Sequence, residues 1–332
     1  MIGAATAGAP ISITGLGCRV PDRIVTNDEL AQHVETSNEW ILARTGIRER
    51  RMAAKDEALS DVALPACIDA LTQAGLDGKD IDLLIVATVT PDMAFPSTGA
   101  ILADRLGAVD AAAYDLSAGC TGFMYALAQA YGMLVGGLSK RALVVGGDLL
   151  SRILDWEDRT TLVLFGDGAG AVVLEATPEQ GFLGFELGAD GSGGESLWLP
   201  GSGSRIFDEA DRHVKMNGRE VFKFATRILV QSAQDLLARC ELSIEDVDVY
   251  VPHQANMRII DHATRKLGVP SDRVVINVDR YGNTSSGSIP LALADAAAEG
   301  RLKPGKLVLM TGMGAGLTWG SALIRWTKEM AR

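Results

Sequence analysis

In Tyr114-Asp115-Leu116-Ser117-Ala118-Gly119-Cys120-Thr121-Gly122-Phe123-Met124, an apolar strand-like run from Ala111 to Leu116 meets a small-residue turn. A helical pattern starts at once and continues to about Gly136. The turn puts the thiol of Cys120 near the first turn of that helix, where unpaired amides and the positive end of the helix dipole favour a thiolate. A free cysteine also packs as a small buried hydrophobe. The thiol therefore carries two readings, and the rest of the chain decides between them.

Outward from this segment the chain alternates strands and helices. Ile81 to Val89, almost wholly apolar, reads as a strand buried on both faces. Before it, Ile11 to Leu16 reads as a strand and Ser60 to Gly75 as an amphipathic helix that buries Cys67. After it come a helix opened by Pro96-Ser97-Thr98 and a strand from Arg141 to Gly146. Thr161 to Glu175 reads as a strand pair around the turn Gly166-Asp167-Gly168-Ala169-Gly170. A second cycle begins at Phe182: a Gly- and Ser-rich loop over 188–204, a long helix over 220–240, a buried strand over 247–251 and a helix over 256–267. It closes with strands over 274–278, 306–310 and 318–326 and a helix over 286–299. The cycles superimpose: Cys120 follows Thr90 by 30 residues, and Asn283 follows His253 by 30. This predicts an internally duplicated α/β protein, halves 1–178 and 179–332, with Cys120 and Asn283 at equivalent strand-to-helix turns and His253 at another strand end.

Bulk properties narrow the class. The chain has 332 residues, 47% hydrophobic and 22% charged, enough for a large core in a globular protein. A net charge of −11 argues against broad nucleic-acid binding. Its 4 cysteines form no CxxC pair, and its 4 histidines have no metal-ligand spacing, so no metal is expected. No secretory signal is visible, and no apolar run reaches the roughly 18 residues that span a bilayer. A cytoplasmic protein with reduced thiols is expected. A P-loop, a GxSxG elbow and an HExxH are all absent.

His253, in Val251-Pro252-His253-Gln254-Ala255-Asn256, faces a strand-end crevice, and Asn283 lies in Gly282-Asn283-Thr284-Ser285-Ser286-Gly287. Each has a structural alternative: a hydrogen-bonded core histidine and a turn-forming asparagine. If the halves pack as a pseudo-twofold pair, all three side chains enter one cavity, with Gly312-Met313-Gly314-Ala315-Gly316 as a further wall. A Cys–His–Asn set suits acyl chemistry, in which the thiolate attacks a thioester and backbone amides hold the oxyanion. The densest basic patch, Arg44 to Arg51, is either a solvated face or an anion site.

Taken together, SNEWILARTGIRERR, DLSAGCTGF, FGDGAGAVVL, VPHQAN, GNTSSGSIP and GLTWGSALIRW resemble the β-ketoacyl-acyl carrier protein synthase III family across nearly the whole chain. The resemblance implies a thiolase-like, five-layered αβαβα fold with two mixed sheets. It also implies a cytoplasmic homodimer, with no cofactor beyond a coenzyme A thioester substrate, initiating fatty-acid synthesis. Cys120 would take an acyl group from coenzyme A; malonyl-acyl carrier protein would then lose CO₂ and condense with it, His253 and Asn283 binding the malonyl carbonyl. The amides of Cys120 and Ala315 would form the oxyanion hole; the family usually has Gly at the latter position. Thr36, Trp40, Arg44 and Arg159 match coenzyme A nucleotide contacts, and Gly218, Phe222, Ala255 and Asn256 a pantetheine tunnel. Arg258 matches a carrier-protein contact, and Phe95 a residue that reaches the partner's acyl pocket. A relative from secondary metabolism with another acyl acceptor, or a non-catalytic acyl-binding module, is the alternative. A biosynthetic thiolase is disfavoured, because residues 312–316 lack a second Cys.

Overall fold

The computed structural model describes residues 10–204 and 208–329. The main strands are β1 (Ile11–Arg19), β2 (Leu83–Ala87), β3 (Ala112–Leu116), β4 (Arg141–Leu149), β5 (Asp167–Ala176), β6 (Phe182–Ala189), β7 (Val249–Pro252), β8 (Leu307–Gly314) and β9 (Thr318–Arg325). The main helices are α1 (Asn38–Thr45), α2 (Leu59–Ala74), α3 (Thr98–Leu106), α4 (Gly122–Val135), α5 (Gly218–Arg239), α6 (Met257–Leu267) and α7 (Ser288–Ala298).

One mixed sheet runs β1-β5-β4-β2-β3 and the other β6-β9-β8-β7. Orientations match strand for strand: β1 with β5 and β5 with β4 are antiparallel, as are β6 with β9 and β9 with β8. The pairs β4–β2 and β8–β7 are both parallel. The counterpart of β3 shrinks to one parallel bridge, Tyr250 to Val274. Helices α4 and α7, nearly free of charge, pack between the sheets, and their side chains share one core with Leu83, Ile85, Val251 and Met310. The outer faces are covered by α2 and α3 on the first sheet and by α5 and α6 on the second. Five layers result. Among the described residues no helix is long and apolar enough to cross a membrane.

Three expectations are corrected. The run over 161–175 is a single strand, not a strand pair. Asp158 caps a helical turn by accepting from Thr160 N–H at 2.8 Å, and the glycines belong to β5. They are there for close approach: a Cβ on Gly170 would lie 2.7 Å from Pro290 Cβ of α7. The strand expected over 274–278 fails because its amides turn inward, Asn277 and Val278 N–H donating to buried Gln254 Oε1 at 2.9 and 3.2 Å. Within the basic patch, Arg50 is neither a solvated charge nor an anion site. It is fully buried and donates to Val25 O, Asn27 Oδ1 and Val163 O, and burial pulls its pKa down to about 10.

Candidate active site

Strand β3 ends at Leu116, and a short turn over Gly119–Thr121 carries Cys120 into α4. The loop after β8 presses against this turn. Gly119 has φ +56°, and a Cβ there would lie 2.9 Å from Ala315 N; a Cβ on Gly314 would lie 2.6 Å from Cys120 N. Hydroxyls fasten the two loops, Thr121 Oγ1 and Thr318 Oγ1 both donating to Ala118 O, at 2.7 and 3.1 Å. The backbone amides of Cys120 and Ala315 and the Ser285 hydroxyl act on the sulfur and favour its anion.

The thiol is nonetheless held protonated. Burial is the dominant effect, and with the Asp148 carboxylate adding to it the Cys120 pKa rises to about 11. The resting thiolate expected at a helix start is thus overturned: desolvation outweighs the Ser285 hydroxyl and the two amides.

His253 follows β7, its N–H donating to Thr311 O at 2.8 Å. The side chain is buried, and neither ring nitrogen has a hydrogen-bond partner among the described residues. Burial alone pushes its pKa down to about 4, so the imidazole is neutral at physiological pH. Asn283 is positioned by Asn283 N–H to Leu164 O at 2.9 Å and Gly166 N–H to Asn283 O at 3.0 Å. Its Oδ1 accepts from Ser285 N–H at 2.9 Å, which directs Nδ2 as the remaining donor.

Cys120 sits where two cavities meet. One, about 150 Å³, is lined by Cys120, His253 and Asn283 together with Gly218, Phe222, Ala255 and Asn256. The other, about 240 Å³, contains Ala315 and a mainly apolar wall of Val89, Leu150, Ile153, Leu154 and Val214. Phe165 and Leu197 border both. Two guanidinium groups lie over the Trp40 ring, Arg44 at 5.6 Å and Arg159 at 5.0 Å from its centroid, and Arg159 also donates to Glu35 O at 2.8 Å. The neighbouring Thr36 hydroxyl is buried without a partner among the described residues. Asn256 links this cluster to the smaller cavity, its Nδ2 donating to Arg44 O at 3.2 Å while its Oδ1 caps α6. Arg258 lies 5.6 Å from the Phe222 ring. Phe95, 85% exposed, lines neither cavity.

Sequence reasoning missed Ser285, which joins Asn283 to Cys120 from a left-handed backbone at φ +51°. Its only signal was its place in GNTSSGSIP, because no pattern predicts positive φ at a serine.

Two matching sheets around a buried helix pair, with a cysteine at the first strand-to-helix turn and facing His and Asn, define a thiolase-fold acyltransferase. Family models for 3-oxoacyl-acyl-carrier-protein synthase III match residues 114–191, and for the C-terminal part of that enzyme residues 237–326. The β-ketoacyl-acyl-carrier-protein synthase III of Desulfitobacterium hafniense is 49% identical over 326 residues, 96% of this chain and 98% of the relative. The crystal structure of the Aquifex aeolicus 3-oxoacyl-acyl-carrier-protein synthase III is 43% identical with TM-score 0.90, covering 95% of this chain and 100% of that one. The priming β-ketosynthase of a polyketide biosynthetic pathway is 35% identical with TM-score 0.92, covering 97% and 98%. The chain belongs to the 3-oxoacyl-acyl-carrier-protein synthase III family, and it is a condensing acyltransferase.

Proposed function

We propose that the chain condenses an acyl-coenzyme A starter with malonyl-acyl carrier protein to open fatty-acid synthesis, with Cys120 as the acyl carrier. The observation that carries this reading is Cys120 at the junction of two cavities, one with the donors His253 and Asn283 and one with an apolar wall. In the first half-reaction Cys120 sulfur bonds to the acyl carbon, the bond to coenzyme A sulfur breaks, and coenzyme A leaves as the thiol with the proton that Cys120 gives up. His253 is the only other titratable residue among those lining the smaller cavity, and burial keeps it neutral, so the proton passes from Cys120 to the leaving coenzyme A sulfur without resting on the imidazole. The amides of Cys120 and Ala315 stabilise the tetrahedral oxyanion; replacing the family's usual Gly by Ala315 keeps the backbone donor.

In the second half-reaction the malonyl carboxylate leaves as CO₂ and its electron pair becomes the thioester enolate. His253 and Asn283 Nδ2 hydrogen-bond that enolate oxygen. The enolate carbon attacks the acyl-cysteine carbonyl, a carbon–carbon bond forms, and Cys120 thiolate departs and takes up a proton. Neutral donors suit this step, because a protonated imidazole could also bind the malonyl carboxylate and hold back CO₂. The reaction needs no cofactor beyond the coenzyme A thioester.

Trp40, Arg44, Arg159 and Thr36 would take the coenzyme A nucleotide. Gly218, Phe222, Ala255 and Asn256 would line the path of its pantetheine arm, and Arg258 would face the acidic carrier protein. The halves 1–178 and 179–332 would be the duplicated units. A homodimer would form along β3, a half-exposed sheet edge beside exposed Met93, Phe95 and Val109, with Phe95 reaching the partner. Such a protein would work in the cytoplasm.

Mass spectrometry after incubation with acetyl-coenzyme A tests the nucleophile: an acyl adduct on Cys120, lost in Cys120→Ala, is expected. Normal turnover by Cys120→Ala would refute the mechanism, and no adduct with any starter would favour a binding module. The likeness to a polyketide priming enzyme supports a second reading, a different acceptor. A panel of starters against malonyl-acyl carrier protein and malonyl-coenzyme A separates the two.

A further inference from the structure

A buried carboxylate behind the site takes no part in this chemistry. Asp148, in β4, is fully buried and surrounded by hydrogen-bond donors. Its Oδ1 accepts from Thr88 Oγ1 at 2.9 Å, Val89 N–H at 2.7 Å, Thr90 N–H at 3.2 Å and Thr90 Oγ1 at 3.0 Å. Its Oδ2 accepts from Ser286 N–H at 3.2 Å and lies 2.8 Å from Ser286 Oγ, whose single proton is shared with Ala87 O at 2.7 Å. One carboxylate thus joins the ends of two strands of the first sheet to the turn that carries Asn283. The turn is wedged there: a Cβ on Gly146 would lie 2.3 Å from Ser286 O, and one on Gly287 2.6 Å from Gly168 O.

Ser286 follows Ser285, whose backbone is left-handed, whose N–H holds Asn283 Oδ1 and whose hydroxyl acts on Cys120. We propose that Asp148 is a positioning residue that anchors Ser286 and so holds Ser285 and the donor amide of Asn283 at the reacting centre. Both carboxylate oxygens accept here, whereas an amide in their place would turn an N–H₂ toward some of these donors. The anchor also has an adverse side effect, because its negative charge opposes ionisation of Cys120.

The inference rests on Asn283 as a donor to the malonyl group. The test is Asp148→Asn, with kcat and KM measured for malonyl-acyl carrier protein decarboxylation. Expected are a kcat at least tenfold lower and a KM within twofold. A smaller fall in kcat or a larger change in KM overturns the proposal. If Asp148→Asn does not fold, Ser286→Ala decides: kcat at least threefold lower at unchanged melting temperature is expected, and anything less overturns it. A parent protein that decarboxylates no malonyl thioester defeats the functional reading and this one together, and is seen before any variant is made.

Discussion

Replacing Asn283 by aspartate isolates one donor from the scaffold that holds it. Asn283 Oδ1 is committed to Ser285 N–H at 2.9 Å, so Nδ2 is the atom left for the enolate oxygen. Asn283→Asp keeps an oxygen for Ser285, removes the donor and puts a carboxylate in its place. Loss of one donor of this type costs about 2.7–4 kcal/mol in the transition state, on the order of 10²–10³ in kcat. A carboxylate also repels the developing enolate, so the larger figure is the closer one. Asn283→Ala acts differently, because it strips the partner from Ser285 N–H in a buried turn and adds about 1–3 kcal/mol of lost stability. The assays are release of CO₂ from carboxyl-labelled malonyl-acyl carrier protein, acylation of Cys120 by mass spectrometry, and thermal melts. Asn283→Asp should acylate at a rate within threefold of the parent and decarboxylate at least a hundredfold more slowly, and both variants should melt lower than the parent. Decarboxylation by Asn283→Asp within tenfold of the parent would refute the donor role.

His253 has its pKa lowered from 6.5 to about 4, so the unfolded chain binds more protons between those values, and stability is lost as pH falls through that window. At one-pKa-unit energies of 1.36 kcal/mol the loss is on the order of 3 kcal/mol by pH 4, and denaturant titrations should show it diminished in His253→Gln. Cys120, raised from 9.0 to about 11, acts in the opposite sense: its contribution is present below pH 9 and lost as pH rises through 11. Iodoacetamide should accordingly alkylate Cys120 of the free enzyme slowly at pH 7, with a rate still rising above pH 9. Trp40→Ala removes the ring that Arg44 and Arg159 approach and should raise KM for acyl-coenzyme A about tenfold at nearly constant kcat, as expected for a stacking contact worth roughly 1–3 kcal/mol. Gly314→Ala drives a methyl against Cys120 N and should slow acylation at least tenfold while leaving coenzyme A binding intact, read by isothermal titration.

The strand–turn–helix at Cys120 was legible because it rests on a local apolar run, whereas Asn283, expected at an equivalent strand-to-helix turn, follows the helical turn Val278–Tyr281 instead. Central strands such as β2, buried on both faces, announce themselves as continuous Leu, Ile and Val. The strand expected over 274–278 failed for a non-local reason, since Gln254 takes the backbone amides a neighbouring strand would have used. The glycines of 166–170 misled in a related way. Glycine marks either a turn or a close approach, and only the packing of Pro290 against Gly170 decides which. Ionisation of Cys120 was misjudged because the helix start is visible in sequence whereas burial is a property of the assembled layers. Arg50 likewise looked like one more cation in a basic run until its carbonyl partners, as distant as Val163, were in view.

The unequal repeat also bears on how far such a molecule can grow. In the first sheet β3 is a full strand with an open side, whereas β1 at the opposite margin is buried along most of its length. In the second sheet the matching strand has dwindled to the single bridge at Val274. Two complete outer strands would give every copy two sticky margins, and copies could add end to end without limit. Joining through β3, as proposed above, would use that margin on both molecules at once. Such a joint would close at two, with the shortened margin of the second half, one bridge at Val274, left out of it.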